Sequence, residues 1–141
     1  MLPATAVCLC VLVCEIVCVF TCQNALMSTF FTGQLNYVPT ITFINVQKRH
    51  HAVFFPGRAG DRNGNPLPGT CVDSIVVDPR DADFYLYSHA TIIGTGRPCH
   101  NHILLNEGEF TMPEIERISF CLAHLYQRCP KSVSIPAPQV R

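Results

Sequence analysis

Hydrophobic and polar positions change their rhythm along this chain, and each rhythm predicts a different kind of element. From Ala4 to Phe20 the residues are apolar apart from Thr5, Glu15 and the cysteines. Past Tyr37 the apolar residues come in short β-branched runs. The run ITFINV, from Ile41 to Val46, is bounded by Pro39 and by Gln47, Lys48 and Arg49, which predicts a buried strand emptying into a basic tip. Gly, Pro, Asn and Asp dominate from Gly57 to Gly69, so an exposed loop is expected there. Further strands are predicted at Ser74 to Val77, at Phe84 to His89 and at His102 to Leu105.

The last rhythm has a helical period. Thr111 can cap a first turn, Glu114 three residues on completes a capping box, and Pro113 is tolerated because early helical N–H groups have no intrahelical acceptor. Ile115, Ile118, Leu122 and Leu125 then follow at spacings of three and four, one apolar stripe. Arg128 and Lys131 are expected to bracket the helix C-terminus, where the helix dipole favours cations, with Pro130 as the stop. The tail from Ser132 to Pro138 holds too many prolines for a helix and is expected to run extended. The pattern predicts a mixed α/β fold with a helix packed on a sheet.

Charge changes this picture little. Ten Lys and Arg balance ten Asp and Glu, so the strongly basic signature of many nucleic-acid binders is missing. The distribution is uneven, however. Acids cluster from Asp73 to Asp83 and from Glu107 to Glu116, while Lys48, Arg49, Arg97, Arg128 and Lys131 lie elsewhere, which leaves room for a modest basic face. Nine cysteines do not make a tidy disulfide framework. Cys71, Cys99, Cys121 and Cys129 sit beside apolar residues and read as reduced core thiols of a cytoplasmic protein.

The apolar leader, residues 1–36, fits a targeting segment poorly: no Lys or Arg precedes it and Glu15 interrupts it. It reads as a segment foreign to the rest, and a membrane partner is not expected. A small secreted or membrane-tethered protein that uses this leader stays open as an alternative. Cys10, Cys14, Cys18 and Cys22 recur every four residues and could pair thiolates around a metal, a weaker reading.

Three constellations invite catalytic or metal chemistry. Cys99, His100 and His102, with His50 and His51, suggest zinc, but no second paired-ligand element supplies the rest of a set, so the histidines read as packing and hydrogen-bonding groups. Cys121 and His124 are three apart on the helix, yet nothing marks an oxyanion hole or an orienting third group. Asp78, Asp81 and Asp83, separated by Pro79 and Arg80, read as a solvated turn rather than a metal cluster.

Four stretches carry a more specific signal: ITFINVQKRHH at Ile41 to His51, PGTCVDSIVVDPRDADFYLYSHATIIGTGRP at Pro68 to Pro98, HNHILLNEGEFT at His100 to Thr111, and LAHLYQRCPKSVSIPAP at Leu122 to Pro138. In this order they resemble the last part of the Piwi domain of Argonaute proteins, over about residues 39–138. The resemblance implies an RNase H-like α/β fold of which only the C-terminal portion is present, so that residues 37–141 form a truncated Piwi domain. It further implies that the guide strand's sugar-phosphate backbone meets Lys48 and Arg49 of QKRHH, His89, Arg97 of the GTGRP turn, Tyr126, Arg128 and Ser134. Cations and hydroxyls at strand tips, turns and helix ends suit that task, because they fix a phosphate backbone without reading bases.

The resemblance also implies what the chain lacks. The family's metal-holding carboxylates lie upstream of QKRHH and its last ligand lies after SVSIPAP, so no enzyme activity, catalytic residue, metal or cofactor is expected. An endonuclease half completed by a separate chain remains the rival. Expected partners are single-stranded guide RNA, a guide–target duplex, or other Argonaute fragments. With the first half of the parent sheet missing, Ile41 to Val46 is expected to form an apolar, unpaired edge.

Overall fold

The computed structural model describes residues 7–12, 40–57, 60–126 and 128–135. Its elements in chain order are β1 (Val7–Leu12), β2 (Thr40–Gln47), β3 (Cys71–Val72), β4 (Asp83–Leu86), β5 (Cys99–Asn106) and the helix α1 (Met112–Leu122). The strands form one sheet in the order β1-β2-β5-β4-β3. β1 runs parallel to β2, and every other pairing is antiparallel.

The expected unpaired edge is therefore occupied. β2 pairs with β5 on one side and, from Val7↔Thr40 to Leu12↔Asn45, with β1 on the other. That strand comes from the apolar leader set apart in the sequence. A short apolar run and an apolar edge satisfy one another's backbone groups, which is the physical reason the edge closes. The other leader cysteines, Cys14, Cys18 and Cys22, lie outside the described residues.

One face of the sheet carries the core. Ile44, Val46, Phe84, Leu86 and Cys99 pack with Ile115 of α1, and Cys71, Ile103, Phe110, Met112, Phe120 and Ile135 close the margins. α1 begins as its sequence predicts: the Glu114 carboxylate accepts from the Thr111 N–H at 2.9 Å and from its hydroxyl at 2.8 Å. It ends earlier than expected. After Leu122 the chain tightens through His124 N–H to Cys121 O and Leu125 N–H to Leu122 O, and Val133 N–H takes the Ala123 carbonyl at 2.9 Å. Leu125 consequently leaves the apolar stripe and is 64% exposed, and Ser119 takes a buried place on the helix instead. Arg128 and Lys131 belong to the returning segment rather than to the helix end.

Three strand expectations also shift. Ser74 to Val77 is a bend, with Ile75 93% exposed, because β4 offers pairing only opposite Cys71 and Val72. The run from Phe84 to His89 is strand only to Leu86. Gly69, at φ +92°, donates to Tyr87 O at 2.7 Å, and Tyr87 N–H donates to Thr70 O at 3.0 Å, carrying the pairing one residue further. β5 is longer than its expected core of His102 to Leu105, since both its neighbours extend the ladder.

Candidate nucleic-acid interface

At the end of β2 the chain leaves the sheet at Lys48 and folds back across the strand ends. His50 Nε2 hydrogen-bonds the Pro98 carbonyl at 2.9 Å, tying the QKRHH tip to the turn that carries Arg97. Phe54 N–H donates to the Tyr87 hydroxyl at 3.1 Å, which pins the segment again four residues on. Lys48 is half-buried, and its charge is felt at both His89 and Cys99. Burial first, and the Lys48 ammonium second, hold the His89 imidazole below its usual value of 6.5.

The Arg97 turn is held from the other side by a residue that the sequence placed in an exposed loop. Asn65 is 2% exposed. Its side-chain amide donates to Gly94 O at 3.0 Å, and its carbonyl accepts from Gly96 N–H at 2.8 Å. Gly94 sits at φ +79°, and a Cβ on Gly96 would lie 2.5 Å from the Thr91 hydroxyl, so both glycines are required by the turn. Arg97 itself projects as an exposed residue from this clamped backbone.

The returning tail completes this end of the sheet. The Ser88 hydroxyl donates to the Ser134 carbonyl at 3.0 Å, and the Cys99 thiol contacts the same oxygen. Lys48, His89 and Ser134 are thus gathered around Ser88 and Cys99, with Arg97 joined through His50 and Pro98. Arg49 is exposed beside Lys48. Tyr126 is half-buried and Arg128 exposed on the segment between α1 and the tail, so Arg128 reaches the surface without the helix-end placement expected of it.

Two of the thiols, Cys71 and Cys99, are held in their neutral, poorly nucleophilic form. Cys71, Cys99, Cys121 and Cys129 are free. Burial, followed by the Glu116 carboxylate, pushes Cys71 up to about 12, and burial pushes Cys99 up to about 11. His124 does not engage Cys121 through its ring; its Nδ1 meets the Phe120 carbonyl at 2.9 Å. Cys99 also parts from its histidine neighbours, because alternation along β5 sends it into the core and sends His100 and His102 to the opposite face. Asp83, expected in a solvated turn with Asp78 and Asp81, is the first residue of β4 and 6% exposed, whereas Asp78 and Asp81 are exposed. Among the described residues no helix is long and apolar enough to cross a membrane.

The fold that carries these elements is shared with known proteins. Residues 23–140 match the family model described as the Piwi domain. The chain belongs to the Piwi domain family. Its match begins inside the segment read as a leader. Protein argonaute 5 of Arabidopsis thaliana is 49% identical over 110 residues, covering 74% of this chain and 11% of the relative. Protein argonaute 1B of Oryza sativa subsp. japonica is 49% identical over 108 residues, covering 73% and 10%. This Piwi chain therefore spans about a tenth of the length of those relatives.

Solved structures agree on the fold. The C-terminal lobe of a budding yeast Argonaute superposes with a TM-score of 0.81 at 27% identity, over 92% of this chain and 30% of that one. Kluyveromyces polysporus Argonaute with a guide RNA gives 0.71 at 30% identity, over 79% and 15%. The sheet and helix are thus a portion of the RNase H-like α/β fold of Argonaute Piwi lobes.

Proposed function

We propose that this Piwi chain binds the sugar-phosphate backbone of a guide RNA, alone or paired to its target, without cutting it. Lys48, Arg49, His89, Arg97, Tyr126, Arg128 and Ser134 are the contacting residues in this reading. The observation that carries it is the His50 to Pro98 hydrogen bond, which joins the Lys48–Arg49 tip to the Arg97 turn. Around that joint, Ser134 is locked to Ser88 and the charge of Lys48 reaches His89. Preorganised cations on clamped backbone suit phosphate, whose oxygens accept hydrogen bonds irrespective of base. Support at the family level comes from the guide-RNA complex among the structural relatives.

Cleavage lies outside this reading, because two-metal phosphoryl chemistry needs carboxylates that hold ions about 4 Å apart. A guide-paired RNA is expected to remain intact with the chain and magnesium or manganese.

Salt titration of single-stranded RNA affinity tests the binding. Contacts from Lys48, Arg49, Arg97 and Arg128 imply a log–log slope of about −3, at roughly −0.7 per contact. Arg128→Ala should lower the slope by about 0.7 and weaken all sequences alike, whereas Arg80→Ala, in the acidic turn, should change neither. Equal slopes in all three proteins would overturn the reading.

A further inference from the structure

The sheet face turned away from α1 carries a cluster that the backbone-binding reading does not use. Asp83 stands opposite His102, and Tyr85 opposite His100, in the β4–β5 register, so all four share one face. Asp83 Oδ2 accepts from His100 Nε2 at 2.6 Å, and His100 Nδ1 meets His102 Nε2 at 3.1 Å. The Tyr85 ring stacks on His100 at 4.1 Å with an interplanar angle of 6°, and His50 meets His100 edge-on at 6.2 Å.

Asp83 is the anomaly. It is buried, yet its Oδ1 has no hydrogen-bond partner, which leaves half of a desolvated carboxylate uncompensated. One imidazole contact is a thin return for removing a carboxylate from water. A divalent cation between the carboxylate and the rings would resolve that imbalance.

We propose that Asp83, His100 and His102 form a binding site for a single divalent transition-metal ion, with zinc the cation that suits them best. Each residue offers one ligand atom, and the three atoms lie within 4.8 Å of one another. One carboxylate oxygen and two imidazole nitrogens make a zinc-type donor set that leaves a fourth position for water. Ligand atoms about 2.0–2.1 Å from a tetrahedral ion stand roughly 3.3 Å apart, so the 2.6 Å Asp83–His100 contact opens by about 0.7 Å as the ion replaces the shared proton. Tyr85 fixes the His100 ring plane, as outer partners of metal sites do. The ion would cross-link β4 to β5 beneath the segment that His50 ties down.

The test uses the full chain, stripped with a chelator and titrated with zinc chloride, and separately with cobalt chloride. Cysteines compete for both ions, so any cobalt equivalent that binds with strong near-ultraviolet thiolate absorption is assigned to them and not counted. One equivalent without that absorption is expected, together with shifted or broadened ring-proton resonances of His100 and His102 on zinc addition. His102→Gln should weaken that equivalent by more than about 100-fold, beyond the loss of an outer partner, while Cys99→Ser should keep it. Asp83→Asn endangers the fold through its burial, so the half-buried His102 is the deciding position, with circular dichroism matched to the wild type. The wild-type resonances decide the matter even if that variant unfolds. Unmoved imidazole resonances, thiolate-only binding, or a folded His102→Gln that binds as the wild type does would overturn the site.

Discussion

The two faces of the sheet are built on opposite principles. Toward α1, Ile44, Val46, Phe84 and Leu86 meet Ile115 in a core held by apolar burial. Away from it, and along the strand ends, the structure is held by polar bonds: His50 to Pro98, Phe54 to Tyr87, Asn65 to the Arg97 turn, Asp83 to His100. Apolar burial is non-directional and supplies most of the folding free energy, whereas hydrogen bonds contribute little net stability but define orientation. The contrast teaches that stability rests mainly on the α1 face, while site geometry is set by polar bonds along the strand ends and on the opposite face.

The largest expected effect tests the apolar side. Phe84→Ala removes a fully buried ring and should destabilise the chain by about 3–5 kcal/mol in urea unfolding, whereas Tyr85→Ala, one residue along and half-buried on the other face, should lose clearly less. Equal losses would erase the distinction between the faces. A middle-sized effect is expected from the polar clamp. Asn65→Ala leaves the Gly94 carbonyl and Gly96 N–H without their partner and should cost about 1–3 kcal/mol, with amide exchange at Gly96 accelerating far more than exchange at Phe84. Uniform acceleration would mean that Asn65 supports the whole fold and not the turn.

The smallest effect concerns charge, and its sign is the test. Burial and Lys48 hold His89 below 6.5, so the folded chain keeps the imidazole neutral and unfolding lets it take up a proton. Its contribution to stability is whole above 6.5 and is lost as pH falls through the depressed folded value. The wild type should therefore lose more stability on acidification than His89→Gln does. Lys48→Met should raise the His89 midpoint in an NMR titration; an unchanged or lowered midpoint would separate Lys48 from His89 and loosen the proposed phosphate surface.

What was legible in the sequence was local. The start of α1 at Thr111 follows from a capping interaction spanning three residues, the strand at Ile41 to Val46 from β-branched apolar residues between breakers, and the family from motifs quoted residue by residue. Alternation alone also implied that Cys99 faces away from His100 and His102, a signal that removes it from the zinc set weighed and set aside there. What only the tertiary structure decided depends on partners distant in sequence. The end of α1 is set where Val133 takes the Ala123 carbonyl, and Asn65 is buried because the Gly94–Gly96 turn folds onto it. Asp83 becomes a buried neighbour of two histidines because antiparallel register sets it opposite His102, and the leader's Val7–Leu12 becomes a strand because β2 offers it an edge. Periodicity states which side chains share a face of one strand, but register, set by long-range pairing and burial, decides which faces meet.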